Sequence, residues 1–448
     1  MRGLRPSSFL LALLLLSPSL ILAADAQLLD LSKALVLSPP DANKQEQNSI
    51  QMLVDEIAAR TQIRPLITHT PPRDPAPMII AGATSRLKTI NPDAKWPAPA
   101  GPEGYHIWSD TTGPAPILFI AADDSRGLLF GVGRLLRTLR LSRQKIELPA
   151  DTNIHTAPKT TLRGHQLGYR PKANSYDGWT VAMWEQYIRD LAIFGANAIE
   201  LIPPRSDDAP NSPHFPIPQM QMMTEMSRIA DDYGLDVWIW YPALDRDYSN
   251  EKTVESALKE WGDVFAKLPR VDAVFVPGGD PGRTPPKILM SLLEKQTENL
   301  HRHHPKATMW MSPQGFNQQW MSEFVEIMKT EPAWLTGIVY GPQVRLPLPE
   351  IRKLIPQKYP IRHYPDITHS MHCQYPVPDW DPAFALTEGR EPINPRPTQM
   401  VKIYRLLAPH TIGFLTYSEG CNDDVNKMLW SALGWDDQAD ITEILRDY

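Results

Sequence analysis

Short apolar runs alternate with amphipathic stretches along most of the chain, and the character of the alternation changes once, near residue 160. Before that point, Ala34 to Leu37 and Met78 to Ala81 are apolar segments of strand length, and Gln45 to Arg60 carries Ile50, Leu53, Val54 and Ile57 at helical spacing. Tyr105 to Trp108 and Ile117 to Ile120 predict a hairpin that leads into the stretch Gly127 to Leu139. That stretch holds three glycines, but their spacing is not GxGxxG and no P-loop lysine follows, so it predicts a packed helix rather than a phosphate loop. Residues 28–158 therefore predict a small α/β domain.

After residue 158 one unit repeats: an apolar run, a loop, then an amphipathic helix. The runs are Thr161 to Tyr169, Ala196 to Pro203, Leu235 to Tyr241, Val271 to Pro277, Ala307 to Ser312, Leu335 to Tyr340, Pro360 to Ile367 and Thr411 to Tyr417. Between them lie helix-period stretches such as Val181 to Phe194, with Trp184, Tyr187, Ile188 and Leu191 on one stripe, and Val254 to Leu268. Eight such units predict a (β/α)8 TIM barrel over residues 159–448, where a doubly wound sheet would use fewer strands. The last helix is expected at Asp424 to Leu433, and the residues after it predict no third domain.

Composition narrows the function. Hydrophobic residues at 42 % with 21 % charge exclude a disordered chain. Forty-five basic against 51 acidic residues, a net of -6, argue against a nucleic-acid or anionic-membrane binder and leave a polar small molecule or polymer as the expected partner. Met1 to Gln27 reads as a secretory signal: Arg2 and Arg5, a mostly apolar Phe9 to Leu22, then Ala24-Asp25-Ala26. Residues 1–26 are expected to be removed, and the protein to be exported to the periplasm or beyond. An uncleaved anchor is the alternative, although Ser17-Pro18-Ser19 interrupts the apolar run. No later segment is long and apolar enough to suggest a membrane span.

Barrel active sites sit at the C-terminal ends of the strands, so the polar residues closing each run are the candidates. In order they are His165, Gln166, Tyr169 and Arg170; Arg205, Asp207 and Asp208; Asp245 and Arg246; Asp280; Gln314 and Asn317; Tyr340 and Gln343; Asp366 and His369; and Tyr417, Glu419, Asn422 and Asp423. Carboxylates and amides serve sugar hydroxyls, while Trp and Tyr faces stack on the ring's C–H surface. Trp238, Trp240, Trp310, Trp320 and Trp380 lie on or near strand ends or loops. A carbohydrate is accordingly the expected substrate.

Asp280 follows Gly278-Gly279, which lets the backbone turn tightly and expose one carboxylate; its alternative role is to cap the next helix. Glu419 is the second choice, with membership of a capping turn beside Asn422 and Asp423 as its alternative. Asp280 and Glu419 form the candidate catalytic pair, since glycoside hydrolysis uses two carboxylates about 5–9.5 Å apart. His165, Arg170, Gln314, Tyr340, Asp366, His369, Tyr417, Asn422 and Asp423 are the candidate substrate-binding residues. His363, His369 and His372 cluster near Asp366, but not at metal-ligand spacing, and neither a metal nor an organic cofactor is expected. His301, His303 and His304 read as a solvated helix end. Cys373 and Cys421 follow neighbouring strands and are either a disulfide over the site or two buried thiols. The Pro-rich stretch Gln374 to Pro397 reads as a lid or substrate-selecting loop.

Glu103 to Ile107, Ile117 to Asp123, and Gly127 to Gly131 with Leu135 and Leu139 together resemble the α/β domain that precedes the barrel in family 20 β-N-acetylhexosaminidases. Similar domains precede the barrels of α-glucuronidases and of the family 84 enzymes that remove N-acetylglucosamine. Arg163-Gly164-His165-Gln166-Leu167-Gly168-Tyr169-Arg170 resembles the first hexosaminidase strand, which implies that Arg170 grips substrate hydroxyls. The family carries Gly-Gly-Asp-Glu at strand four, with the Asp orienting the acetamido group and the Glu as acid. Here Pro281 follows Gly278-Gly279-Asp280, so the resemblance does not supply the acid. It implies a hydrolase for a β-linked N-acetylhexosamine or related glycan. The alternatives are a glycan-binding barrel without catalysis and an α-glucuronidase-type hydrolase.

Overall fold

The computed structural model describes residues 27–90, 96–171, 176–368, 395–420 and 423–448. Among the described residues, nine strands precede the barrel: β1 Leu28–Asp30, β2 Leu35–Leu37, β3 Ile67–Thr68, β4 Met78–Ala83, β5 Tyr105–Asp110, β6 Ile117–Ala122, β7 Arg140–Ser142, β8 Lys145–Pro149 and β9 Asn153–Thr156. The barrel strands are β10 Leu162–Leu167, β11 Ala198–Leu201, β12 Asp236–Trp240, β13 Ala273–Pro277, β14 Thr308–Ser312, β15 Leu335–Tyr340, β16 Ile361–His363 and β17 Gly413–Thr416. The helices are α1 Lys44–Thr61, α2 Thr84–Ile90, α3 Ser125–Thr138, α4 Val181–Ile193, α5 Gln219–Asp232, α6 Glu251–Phe265, α7 Pro286–His301, α8 Gln318–Lys329, α9 Leu348–Leu354, α10 Pro397–Leu407, α11 Asp424–Trp435 and α12 Ile441–Asp447. The helix expected at residues 424–433 thus runs two residues further, and α12 follows it.

The first strands form a six-stranded sheet in the order β3-β2-β4-β6-β5-β9, beside a three-stranded sheet β1-β8-β7. The expected hairpin is present, with β5 antiparallel to β6 and Trp108 opposite Phe119. One face of the larger sheet, with Val36, Ile79, Ile107 and Ile120, shares a core with Ile50 and Leu53 of α1 and Leu128 and Val132 of α3. Asn43 and Glu46 close a capping box at the start of α1. The three-glycine stretch is helix α3, N-capped by Asp124, whose Oδ1 accepts from Gly127 N at 2.7 Å. A Cβ at Gly133 would lie 2.7 Å from the Ile193 Cα, so α3 approaches the end of α4 at a distance only glycine allows.

Strands β10 to β17 close into a parallel barrel, the ring completed by β17 against β10 with Leu162 opposite Gly413. Side chains alternate across the wall. Trp238, Trp240, Phe275, Trp310, Val339, Tyr364 and Leu415 fill the lumen, while Ile199, Val237, Val274, Met309 and Ile338 meet the surrounding helices. Within the lumen the fully buried Arg362 pairs with Glu200 at 2.6 Å. Gln166 Nε2 donates to Glu200 Oε1 at 3.1 Å and to the Tyr364 hydroxyl at 2.7 Å. The Arg362 guanidinium also lies 4.7 Å from the Trp238 ring. Burial raises the Glu200 carboxyl above its usual range, against the pull of Arg362. Losing either partner would strand a charge in the core.

Polar contacts join the first sheets to the barrel at its N-terminal end. Glu103 accepts from Arg163 at 2.6 Å, from Arg126 at 3.0 Å and from the Asn197 amide at 3.0 Å. Asn197 immediately precedes β11, so this junction lies at the end of the barrel remote from the strand C-termini. At the predicted histidine surface, the ring nitrogens of His301 and His304 bond the carbonyls of Ala307 and Phe265, each at 2.9 Å. His303 is exposed.

Candidate active site

Three groups of side chains stand at the C-terminal mouth. The first is built by the ends of β13, β14 and β15. A Cβ at Gly278 would lie 2.4 Å from the Ser312 carbonyl oxygen and 2.7 Å from the Phe316 ring, so the turn after β13 presses against the next loop. That turn delivers Asp280, half-buried. Its side chain accepts from the Gln343 amide, and its carbonyl accepts from Gln314 Nε2 at 2.9 Å. Gln314 Oε1 is buried without a hydrogen-bond partner among the described residues. Helix α7 begins only at Pro286 and has no side-chain cap, so Asp280 does not serve as one.

The second group comes from β16, β17 and their loops. Arg362, Tyr364 and Asp366 follow one another at every second position, which carries the lumen face of β16 up to the mouth. Asp366 forms a parallel bridge with Tyr417, whose ring meets Tyr364 edge-on at 5.7 Å. The Tyr417 hydroxyl donates to Glu419, which is 3 % exposed. The Glu419 backbone N–H donates to Thr368 Oγ1 at 3.2 Å, and the Thr368 N–H to Asp366 Oδ1 at 3.0 Å. Thr368 Oγ1 in turn donates to Asp423 at 2.6 Å.

Asp423 belongs to the support beneath this wall. It accepts from Thr368 on one oxygen and from Ser418 and Lys427 on the other. Lys427, with no exposed surface, also donates to the Tyr176 hydroxyl at 2.7 Å and the Gly420 carbonyl at 3.0 Å. Burial raises the Asp423 carboxyl, with Lys427 acting against it. Burial works against the Lys427 charge too, yet Asp423 and Tyr176 outweigh it and hold the ammonium above its ordinary range. Asp423 does not cap α11 with its side chain.

The third group follows β10, β11 and β12. Arg170 is 2 % exposed, pairs with Asp207 at 3.0 Å, and sits 5.6 Å from the Trp240 ring, with Asp208 at 3.7 Å. Further out, Arg205 bridges Asp245 at 2.6 Å and Glu260 at 2.8 Å. In the ring of eight, β13 stands four strands from β17 in either direction. The Asp280 wall and the Glu419 wall therefore face each other across the mouth.

Two expected binding residues point elsewhere. His165 is fully buried on the outer face of β10, with Nδ1 2.9 Å from the Thr416 hydroxyl and Nε2 2.8 Å from that of Ser431 on α11. Tyr340 likewise faces the helical layer, its ring 6.1 Å from His363. Both are corrected by strand alternation, which gives the lumen their neighbours Gln166 and Val339. Of the tryptophans, Trp238 and Trp310 lie in the lumen 5.2 Å apart, whereas Trp320 packs on Phe316 outside the barrel. His369, Asn422, Cys373, Cys421, His372 and Trp380, with nearly all of the expected lid, lie outside the described residues. Tyr364, Thr368 and Lys427 were not among the sequence candidates. The every-second-residue series Arg362, Tyr364, Asp366 was the available signal for the first, whereas Thr368 and Lys427 gain their partners only in the fold. Among the described residues, no three His, Cys, Asp or Glu side chains are grouped to hold a metal ion.

The class so defined is an α/β protein in which a smaller sheet region precedes a closed eight-stranded parallel barrel. No family model matches the chain, and no curated protein matches it. Solved structures do match. The fold is similar to that of the glycoside hydrolase CpGH84B, with a TM-score of 0.61 and 14 % identity over 93 % of this chain and 70 % of that one. It is also similar to BtGH115A, a family GH115 4-O-methyl-α-glucuronidase with specificity for decorated arabinogalactans, with a TM-score of 0.62 and 11 % identity. That match covers 94 % of this chain but only 59 % of the glucuronidase's length. At these identities the likeness is one of fold, and at that level it agrees with the resemblance drawn from sequence.

Proposed function

We propose that this protein is an exported glycoside hydrolase whose working carboxylates are Asp280 and Glu419. The observation that carries the reading is their placement on opposing walls of one barrel mouth, between Trp240, Tyr364 and Tyr417 and with Arg170 beside them. Such a mouth offers a sugar ring aromatic faces below and hydrogen-bonding groups around. Cleavage of a glycosidic bond then needs one carboxyl group to protonate the leaving oxygen and a second carboxylate to assist attack at the anomeric carbon, with water supplying the new hydroxyl. Gln343 donates to the Asp280 carboxylate and the Tyr417 hydroxyl to that of Glu419, whose backbone N–H is bonded to Thr368, so both carboxylates are oriented before substrate arrives.

The substrate proposed is a β-linked N-acetylhexosamine glycan. A second reading, an α-glucuronidase-type hydrolase, is supported by the fold similarity to a glucuronidase. Export rests on the Met1 to Ala26 pattern.

The test is turnover of aryl N-acetylglucosaminide, N-acetylgalactosaminide and glucuronide by the mature protein. Asp280→Asn and Glu419→Gln are each expected to lower kcat by about 10²–10⁴-fold while leaving the fold intact. Measurable glycan binding with no turnover of any aryl glycoside would replace the hydrolase with a lectin-like barrel.

A further inference from the structure

The face of the six-stranded sheet turned away from α1 and α3 carries a second set of aromatic groups. Strand β5 sends Tyr105 and Ile107 into the shared core and His106 and Trp108 to the opposite face. There Trp108 stacks on Phe119 at 4.6 Å with the rings 8° from parallel. Trp96 stands beside that stack, 6.2 Å from Trp108 and 6.0 Å from Phe119, nearly perpendicular to both. Helix α2 covers part of this face with Leu87, but both indoles remain partly exposed. They border a shallow open cleft of about 540 Å³ whose other walls include Ser109, Asp151 and Asn153.

The polar side of the cleft is ordered. His106 Nε2 lies 2.6 Å from Asn153 Oδ1, and because a carbonyl oxygen only accepts, the ring must donate from Nε2. That contact fixes the amide and leaves its NH2 end as the donor, while Asp151, exposed two residues before it, supplies an acceptor. The His106 ring also lies 4.7 Å from Trp108, so donor, acceptor and two partly exposed indoles meet in one open cleft. This combination suits vicinal hydroxyls on a ring with a C–H face. A lipid or an apolar peptide would leave the amide and the carboxylate unserved.

We propose that this cleft is a second carbohydrate-binding site, holding a stretch of the same glycan chain whose hydrolysis is proposed at the barrel mouth. The inference rests on that reading for the identity of the polymer but not for the existence of the site. Its role is to keep a polymeric substrate on the protein, so it matters for long glycans and not for small glycosides.

Affinity electrophoresis of the full mature chain in gels containing glycol chitin, glucuronoxylan or arabinogalactan tests it. Trp96→Ala and Asn153→Ala are expected to weaken retardation by the polysaccharide that retards the wild type, by about tenfold for the indole. Their kcat/KM on aryl glycosides is expected to stay unchanged. Trp108→Phe keeps a ring against Phe119 and guards against a folding defect, and it too should reduce retardation. Equal retardation of wild type and all three variants overturns the proposal, as does a wild type that none of the three polysaccharides retards. Aryl-glycoside turnover without retardation would overturn this site alone. Retardation that depends on Trp96, with no turnover of any glycoside, would support the site and overturn the hydrolase.

Discussion

His165 and Gln166 are neighbours on one strand and serve opposite sides of it. Gln166 reaches the lumen network of Glu200 and Tyr364, whereas His165 ties β10 to Thr416 and Ser431. His165→Leu would leave two hydroxyls unpaired in the core, so a loss of about 1–3 kcal/mol of stability is expected, read by denaturant unfolding, with KM unchanged. Burial, with a smaller push from Lys427, holds the imidazole well below its ordinary value of 6.5. A group whose folded pKa is depressed contributes stability above its unfolded value and loses it as the pH falls towards the folded one. Stability should therefore decline below pH 6.5, by up to about 1.4 kcal/mol per pH unit, and the His165→Leu variant should decline less steeply. At this scale sequence identified Asp280, Glu419 and Arg170 as residues closing apolar runs. It misassigned His165 and Tyr340, because the position of a residue in a run says less than its parity along the strand.

At the scale of elements, the glycine-rich helix shows how one sequence feature acquires its meaning from a neighbour. Spacing alone separated α3 from a phosphate loop, but the reason for Gly133 is the Ile193 backbone of α4 behind it. Gly133→Ala sets a Cβ 2.7 Å from that backbone, where no side chain can move aside. The helices must separate, and a loss of about 1–3 kcal/mol is expected, visible as a lower thermal midpoint with aryl-glycoside KM unaffected. The eight barrel runs were legible for the opposite reason. Most are buried on both faces and largely apolar whichever neighbour they meet, while β10, β11 and β16 also bury the polar residues of the lumen and the helical layer. The turn after β13 lies between these cases: Gly278-Gly279 announced a tight bend, and the Ser312 carbonyl explains it.

For the whole molecule, the decisive contact is Glu103, which joins the first sheets to the barrel through Arg163 and Asn197 and is held by Arg126 of α3. Burial alone would raise its carboxyl, but the two guanidinium groups outweigh it and hold the group below its ordinary 4.5. Its contribution is therefore present above pH 4.5 and lost as the pH falls below that value. Glu103→Gln is expected to cost about 1.5–3 kcal/mol at neutral pH and to flatten the stability loss below pH 4.5. Thermal unfolding across that range is the check. Because the junction lies at the N-terminal end of the barrel, kcat should not change, as expected where one end of a barrel serves stability and the other chemistry.

The eight strand–helix units of the barrel, the hairpin and two helices before it, and the strand ends that supply the candidate chemistry were determined by the sequence itself, because burial periodicity is a local property of the chain; the short strands β1, β3 and β7 to β9 were not. Which polar residues face the lumen, which carboxylates oppose one another and which ones, like Asp423, only support the wall were decided by tertiary structure. Those facts depend on closure of the ring, which sets β13 across from β17, and on partners such as Lys427, Thr368 and Ser431 that meet only when distant segments pack.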